Sequence, residues 1–175
     1  MRIGKLVNLT FLLLGLMFMA GIGWVAGRSG IGSVIDAATL PPSERAFAER
    51  MRNVTLVGTF TVDGRAGQPG APPAADRYEI ASVDKVGENS WRFNARMDCC
   101  GAAGQSGLPI VVPMHFIGDT PVIMMTDTNL PGIGTFTVRL FFYGDRYAGT
   151  WQHGAVGGQM SGRIEKTPVA VIATP

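Results

Sequence analysis

The sequence predicts an all-β domain of about eight antiparallel strands that follows an N-terminal apolar segment. From residue 55 onward, apolar and polar residues alternate with a period of two, which is typical of half-buried strands. Short turns that contain glycine and aspartate join most of these runs, which favours antiparallel neighbours. The stretch Leu6–Gly27, by contrast, is apolar and carries no charged residue.

The apolar segment Leu6–Gly27 has the length of a membrane span. A helix rises about 1.5 Å per residue, so this segment would extend roughly 33 Å, against a hydrocarbon core of about 30 Å. We therefore predict a signal anchor, a transmembrane helix within residues 1–27. A signal peptide that is removed after export is the alternative, because small residues lie near the end of the segment.

The charges around the segment predict its orientation. Arg2 and Lys5 lie before it and only Arg28 lies close after it, so the positive-inside rule places the N-terminus in the cytoplasm. The expected location is the inner or plasma membrane, crossed once, with the C-terminal domain outside the cytoplasm. If the segment is cleaved, the domain is instead secreted or periplasmic.

The charge balance of the exported part argues against a nucleic-acid partner. The chain has 15 Lys and Arg against 13 Asp and Glu. Arg2 and Lys5 precede the apolar segment, which leaves 13 cations against 13 acids. Nucleic-acid binding requires a basic cluster on one face, whereas here the signs are interspersed. The sequence therefore predicts the membrane as a partner and no nucleic acid, and it leaves a protein partner open.

Three segments complete the domain plan. Residues 28–42 are rich in Gly, Ser, Ala and Pro without a period, so we predict a linker. A short helix then follows from an N-cap at Ser43 to about Met51, and the β-domain is expected over residues 43–166. Residues 167–175 have no period, so we predict a disordered tail.

The period-two runs assign the strands in order. Thr55–Val62 is the first, and the Gly/Pro/Ala stretch Arg65–Ala75 that follows is expected to be a loop. Leu108–Ile117 is nearly all apolar, but Pro109 and Pro113 cannot donate to a ladder, so an edge or a bulge is expected there. The remaining strands are predicted over Arg77–Val86, Trp91–Met97, Pro121–Thr126, Thr135–Tyr143, Arg146–His153 and Gln159–Lys166.

Sequential antiparallel strands of this number close into an up-and-down barrel or stack as a two-sheet sandwich. Closure removes the exposed edges that an open sheet of this length would carry, and the short helix before the first strand suits a cover for one mouth of a barrel. We therefore predict a small barrel, with the β-sandwich as the alternative. The outward charges implied by Arg92, Arg96 and Arg139 argue against a barrel that spans the membrane.

A short motif carries a resemblance to known families. Gly149-Thr150-Trp151, followed by a glycine-spaced run from Gly157 to Gly162, resembles the motif that opens the barrel in lipocalins and avidin-like proteins, the calycins. That resemblance implies a barrel that holds a small apolar ligand inside. The longer stretch Gly118–Gly154 resembles a group of exported, membrane-anchored bacterial β-domains without an assigned activity. That resemblance implies a location outside the cytoplasm and indicates no reaction.

Six aromatic side chains are the candidate ligand-binding site, because they lie at alternating positions of the predicted strands. If the barrel is filled, they form its core; if it is open, they line a pocket for an apolar or amphipathic ligand. These residues are Trp91, Phe93, Phe136, Phe142, Tyr147 and Trp151.

Reactive groups are few. Cys99 and Cys100 are adjacent, and outside the cytoplasm they are a disulfide candidate, with tolerated thiols or a disulfide to another chain as the alternatives. His115 and His153 have no second ligand at metal-binding spacing, so no metal is predicted. The sequence contains no nucleophile elbow and no phosphate-binding loop, so we predict no cofactor and no enzymatic activity.

Two functions follow from these features. The first is a membrane-tethered, lipocalin-like module outside the cytoplasm that binds a small apolar ligand or lipid. The alternative is a structural or protein-interaction β-domain with a filled core and no enzymatic activity. The strand number does not separate them, since a barrel of about eight strands is either filled or able to hold one small ligand.

We expect membranes to retain the intact chain through its apolar segment. Labelling the protein in sealed membrane vesicles and then measuring its mass tests this, because an anchored protein keeps its first residues. A mature chain that begins after Gly23 or Gly27 would contradict the anchor and indicate a cleaved signal peptide.

Overall fold

A computed structural model of the chain describes residues 33–63, 70–97, 109–130 and 134–167. Within them, strands β1 to β8 form a closed antiparallel barrel in which each strand pairs with its neighbours along the chain. One α-helix, α1 (Pro42–Arg50), precedes the barrel. The strands are β1 (Val54–Val62), β2 (Ala71–Lys85), β3 (Ser90–Met97), β4 (Pro109–Ile117), β5 (Thr120–Leu130), β6 (Gly134–Tyr143), β7 (Arg146–His153) and β8 (Val156–Lys166).

The ladder between the first and last strands closes the barrel. From Val54 to Phe60, β1 pairs with β8 in unbroken register, from Lys166 to Met160, so neither strand leaves an unpaired edge there. The prediction of an all-β up-and-down barrel is therefore confirmed, and the alternative sandwich is not formed.

The helix begins earlier than predicted. Pro41 is its N-cap and makes no side-chain capping bond, and Pro42 is its first residue, so the expectation of an N-cap at Ser43 is wrong. Proline suits the first position because its fixed φ is already helical and the N–H that it lacks would have no partner there. Glu44 in the first turn and Arg50 in the last complement the helix dipole.

Helix α1 closes one end of the barrel, which we call the helix end. Phe47 is 1% exposed. Its ring meets the rings of Trp91, Phe116 and Phe142 at centroid distances of 6.1, 6.0 and 5.3 Å. Edge-on and tilted contacts of this kind stabilise aromatic clusters beyond the area that they bury, so the helix supplies the side chain that fills this mouth.

An ion pair and a backbone bond tie the chain before the barrel to the same end. The Lys85 ammonium donates hydrogen bonds of 2.7 Å to both carboxylate oxygens of Glu44, and it lies 5.8 Å from the centre of the Trp91 ring. The Ile35 N–H donates to the Lys85 carbonyl at 2.9 Å. The chain therefore enters the barrel at the helix end.

Strand β2 begins at Ala71, so the predicted loop is wrong over residues 71–75. Its first residues include Pro72 and Pro73, which cannot donate to a ladder. They are tolerated because, among the described residues, the β2–β3 ladder extends only to Tyr78 and leaves the start of β2 paired with β1 alone.

Strand β4 pairs with β3 over Pro109–Pro113 and with β5 over Met114–Ile117. In the described ladders the segment that carries both prolines is therefore paired on one side only, in agreement with the expected edge. Pro113 pairs with Ser90 and Pro109 pairs with Asn94, and these are the two end pairs of a β3–β4 ladder that contains no bulge. A missing N–H at the end of a ladder removes no interior hydrogen bond, which is why both prolines fit.

The predicted signal anchor, residues 1–27, lies outside the described residues. In the part of the chain that the structure describes, no helix is long and apolar enough to cross a membrane. Of the predicted tail, only Thr167 is described, and its N–H donates to the Asn53 carbonyl at 3.1 Å.

We expect Phe47→Ala to lower the free energy of unfolding by about 3 to 5 kcal/mol, because it empties the centre of the aromatic cluster at the helix end. Phe141→Ala is the matched control, since it removes the same ring from a side chain that is 46% exposed. The control should change stability by about 0.5 kcal/mol or less. Urea unfolding followed by circular dichroism measures both, and equal losses would contradict the role of Phe47.

Candidate functional site

The inner wall of the barrel has two halves that differ in exposure. Toward the helix end the inward side chains are buried, and Trp91, Met114 and Phe142 are each 1% exposed. Toward the opposite end several inward side chains are half-buried, although Met125, which pairs with Val138, is 3% exposed. We call this region the outer half. Its half-buried residues are Phe60, Ile110, Phe136, Val138, Trp151 and Met160.

A row of paired residues brings two polar side chains onto the inner wall. Asp76 on β2 pairs with Gly58 on β1, Gly58 pairs with Gly162 on β8, and Gly162 pairs with Tyr147 on β7. Asp76 is 4% exposed and Tyr147 is 1% exposed. A carboxyl and a phenol are therefore buried inside the barrel, with two residues that lack side chains between them.

The two glycines are required because a Cβ atom at either position would collide with the β1–β8 backbone, at the Ser161 carbonyl oxygen for Gly58 and at the Val57 carbonyl oxygen for Gly162. The Tyr147 side chain also lies over both. A Cβ atom at Gly58 would lie 2.5 Å from the Tyr147 hydroxyl oxygen, and one at Gly162 would lie 2.7 Å from the same atom. Cβ atoms essentially never make contacts this short. The phenol thus extends across β8 and β1, toward the strand that carries Asp76.

Burial perturbs the titration of both groups. The pKa of Asp76 is raised because the carboxylate loses its hydration, while the Tyr78 side chain and the Arg77 backbone N–H lower it by less. The pKa of Tyr147 is raised to about 12, first by burial and then by the charge of Asp76. Tyr147 is therefore a neutral phenol at physiological pH, and a negative charge on Asp76 favours that neutral form.

Several buried polar atoms of the inner wall have no hydrogen-bond partner of normal geometry among the described residues. They are both carboxylate oxygens of Asp76, the Tyr147 hydroxyl and the Trp151 indole nitrogen. Most buried polar atoms in proteins are paired, and leaving one unpaired costs roughly 1–3 kcal/mol. Polar groups of this kind are satisfied by a ligand or by ordered water.

Aromatic rings line the outer half above these polar groups. Trp151 meets Phe60 edge-on, with ring centroids 6.1 Å apart. Phe136 stacks on His153 at a centroid distance of 4.5 Å. The outer half therefore combines apolar, half-buried side chains with the buried polar groups of Asp76 and Tyr147. This combination suits an amphipathic molecule.

The six aromatic residues predicted as the site all lie on the inner wall, but in different halves. The structure places Trp91, Phe93, Phe142 and Tyr147 among the buried side chains and leaves Phe136 and Trp151 half-buried. The buried rings belong to the packed core. That any of the six binds a ligand stays a prediction.

Sequence reasoning missed Asp76 and the glycine pair. Asp76 adjoins the stretch that was expected to be a loop, so it was assigned to no face. The signal that finds it is the alternation itself, because Asp76, Tyr78 and Ile80 occupy every second position and Ile80 is 4% exposed.

The other candidate groups do not join this site. Cys99 and Cys100, the disulfide candidate, lie outside the described residues. His115 is exposed on β4, and His153 lies at the end of β7 against Phe136. The described ranges contain no group of three or more His, Cys, Asp or Glu side chains that could hold a metal ion.

No protein-family model matches this chain, and no curated protein matches its sequence. The resemblance of Gly149-Thr150-Trp151 to the calycin motif stays a prediction, and the structure places this motif on β7 with Trp151 in the outer half. We therefore infer the function from the side chains of the barrel interior.

We expect Asp76→Asn to raise the stability of the protein at neutral pH and to change it little below about pH 4. Folding raises the pKa of Asp76, so the folded state holds this proton more tightly than the unfolded state. Stability therefore falls as the pH rises from the unfolded pKa of about 3.9 through the folded pKa. Asparagine has the same shape and no charge to desolvate. Thermal unfolding across this pH range measures the effect.

Asp84→Asn is the control on the same strand. The Asp84 carboxylate accepts hydrogen bonds from Ser82 at 3.0 Å and from Asn94 at 2.8 Å, so its replacement should lower stability by about 1 kcal/mol. A comparable loss in Asp76→Asn at neutral pH would contradict the conclusion that the Asp76 charge is buried without compensation.

Proposed function

We propose that this protein binds a small ligand in the outer half of its barrel interior, while its N-terminal segment tethers it to a membrane. One observation carries the ligand proposal. The half-buried apolar wall of the outer half ends on three buried polar groups. The Asp76 carboxylate has no counter-charge among the described residues, and the Tyr147 hydroxyl and the Trp151 indole nitrogen have no hydrogen-bond partner there. Small-molecule sites combine these two features, an apolar wall and a few convergent polar groups.

The closed helix end supports this proposal because its packed side chains form a fixed inner boundary of the site. Phe47 and the rings around it leave that end buried, so a ligand would enter from the opposite end. The wall of the outer half consists of paired strands, and side chains on such elements are held more precisely than side chains on loops.

The path of the chain orients the site relative to the predicted membrane anchor. The chain is bonded to the helix end at Ile35, through the Lys85 carbonyl, and the predicted anchor ends at Gly27. An extended residue spans at most about 3.6 Å, so the intervening chain holds the helix end within roughly 30 Å of the membrane. The tether would then join the barrel at its helix end, opposite the outer half.

A protein-interaction module is the second candidate, and one observation favours it. Ile117, Met124, Phe141 and Tyr143 are 69%, 43%, 46% and 70% exposed on the outside of β4, β5 and β6. Exposed apolar side chains that lie close together often mark interaction surfaces. This candidate requires no ligand inside the barrel. Neither candidate includes a catalysed reaction, and the absence of enzymatic activity stays a prediction.

A neutral fluorescent probe separates the two candidates. We expect N-phenyl-1-naphthylamine to bind saturably to the full-length chain in lipid nanodiscs, beyond its partition into empty nanodiscs. Val138→Trp places an indole in the outer half and should weaken binding by about tenfold or more, which corresponds to about 1.4 kcal/mol. Phe141→Ala, which removes a ring from the outer surface, should leave binding unchanged. Fluorescence titration measures the affinity of the probe for the unchanged protein and for each variant.

If Phe141→Ala weakens binding and Val138→Trp does not, the probe binds to the outer surface and interior binding is contradicted. A signal no greater than that of empty nanodiscs would contradict it as well. Circular dichroism of the variants establishes that each retains the barrel, so that a loss of binding reports on the site.

A further inference from the structure

We infer that the ligand of the barrel interior is a small amphiphile whose polar end is a protonated amine, bound by the Asp76 carboxylate and the Tyr147 hydroxyl. This inference rests on the proposed interior site and names the chemical class of its ligand. Its support comes from the charge, the hydrogen-bond acceptors and the aromatic rings that the inner wall presents together.

The interior presents an acidic group with no counter-charge among the described residues. Asp76 is 4% exposed and takes part in none of the ion pairs of the described ranges. Arg77, the next residue along β2, alternates to the outside and lies 3.7 Å from Glu79. Since an isolated buried carboxylate is costly, a cationic group on the ligand is the partner that Asp76 lacks.

The hydrogen-bonding groups also fit an ammonium ion. An ammonium offers three N–H donors and no acceptor. Both Asp76 oxygens and the Tyr147 hydroxyl oxygen are acceptors. The Tyr147 hydroxyl has no partner in the described part of the chain, and the Asp76 carboxylate, on which Tyr78 and the Arg77 backbone N–H act, has lone pairs for further bonds. Gly58 and Gly162 lie between the two residues in the ladder, so neither contributes a side chain that would compete with the ligand.

The apolar part of such a ligand would lie along aromatic rings. Phe60 follows Gly58 by two residues, so it lies on the same face of β1 and diagonal to Asp76. The Phe60 ring meets the Trp151 ring at 6.1 Å. Aromatic faces attract cations as well as apolar groups, so these two rings suit the stem that carries an ammonium group.

Two other ligand classes, anions and neutral alcohols, do not complement the charge of Asp76. An anionic ligand would place a like charge beside Asp76, and repulsion in a buried site is strong. A neutral alcohol would form hydrogen bonds but would leave the Asp76 charge uncompensated. The affinity difference between an amine and an alcohol of the same shape therefore measures the contribution of Asp76.

The same arrangement makes amine binding dependent on pH. Burial raises the pKa of Asp76 in the free protein, and a bound cation favours the ionised carboxylate, so the affinity should rise with pH through that range. Tyr78 on the same strand and Tyr147 from β7 are the titratable side chains that act on Asp76. The paired residues that face it from β1 and β8 are Gly58 and Gly162.

Three probes that share one aromatic ring test the inference: 2-phenylethylammonium, 2-phenylethanol and 3-phenylpropanoate. Isothermal titration uses the full-length chain in nanodiscs, with empty nanodiscs as the blank. We expect the ammonium to bind about tenfold more tightly than the alcohol, and the carboxylate to bind more weakly than both. Asp76→Asn should reduce the advantage of the ammonium to about twofold or less, because it removes the charge and keeps the shape.

Glu79→Gln is the matched control, since it removes an outward carboxylate from the same strand and should leave the advantage intact. Alcohol binding by Asp76→Asn establishes that this variant retains the site. The pH dependence of ammonium binding by the unchanged protein is a second readout that needs no variant, and the alcohol should not share it.

The outcomes separate this inference from the proposed function. If the alcohol binds as tightly as the ammonium, if the advantage survives Asp76→Asn, or if ammonium affinity does not rise with pH, the inference is wrong and interior binding stands. If neither these probes nor the neutral fluorescent probe binds, the proposed function itself fails.

Discussion

The closed ladder between β1 and β8 is the constraint on which the rest of the structure depends. Once Val54 pairs with Lys166 and Phe60 with Met160, alternate residues of the sheet must face an enclosed interior. The size and polarity of those residues then decide whether the barrel packs. Gly58 and Gly162 face each other across this ladder, and the Tyr147 phenol occupies the space that their missing side chains leave.

The interior meets two opposed requirements in separate halves. At the helix end, Phe47 brings in from α1 a ring that no strand places there, and apolar burial around it stabilises the fold. Away from the helix, part of the wall is half-buried. The Asp76 carboxylate has no counter-charge and the Tyr147 hydroxyl has no hydrogen-bond partner among the described residues, which lowers stability. Buried polar groups that lower stability are expected chiefly at functional sites, and this is the physical basis of our proposal that the interior binds a ligand.

Strand prediction was accurate where apolar and polar residues alternate regularly and no proline interrupts the ladder. Residues 135–143 and 146–153 alternate regularly, and strands lie there. Prediction failed at the prolines that begin β2. There the missing N–H groups fall where the described ladders do not require them. Asp76 was missed for the same reason, because the prolines before it obscured the start of its strand.

Residues close along the chain were enough to specify the periodicity of the strands, their antiparallel order and a short helix before them, because each of these depends on neighbours in sequence. The same local reading predicts a membrane tether from an apolar segment and its flanking charges. Tertiary contacts alone decided between the barrel and the sandwich, selected the rings that Phe47 of α1 meets, and placed Asp76 and Tyr147 in one row of the inner wall with two glycines between them. These features depend on the register of strands that are distant in sequence, and a period of two describes each strand without describing which residues of another strand it will face.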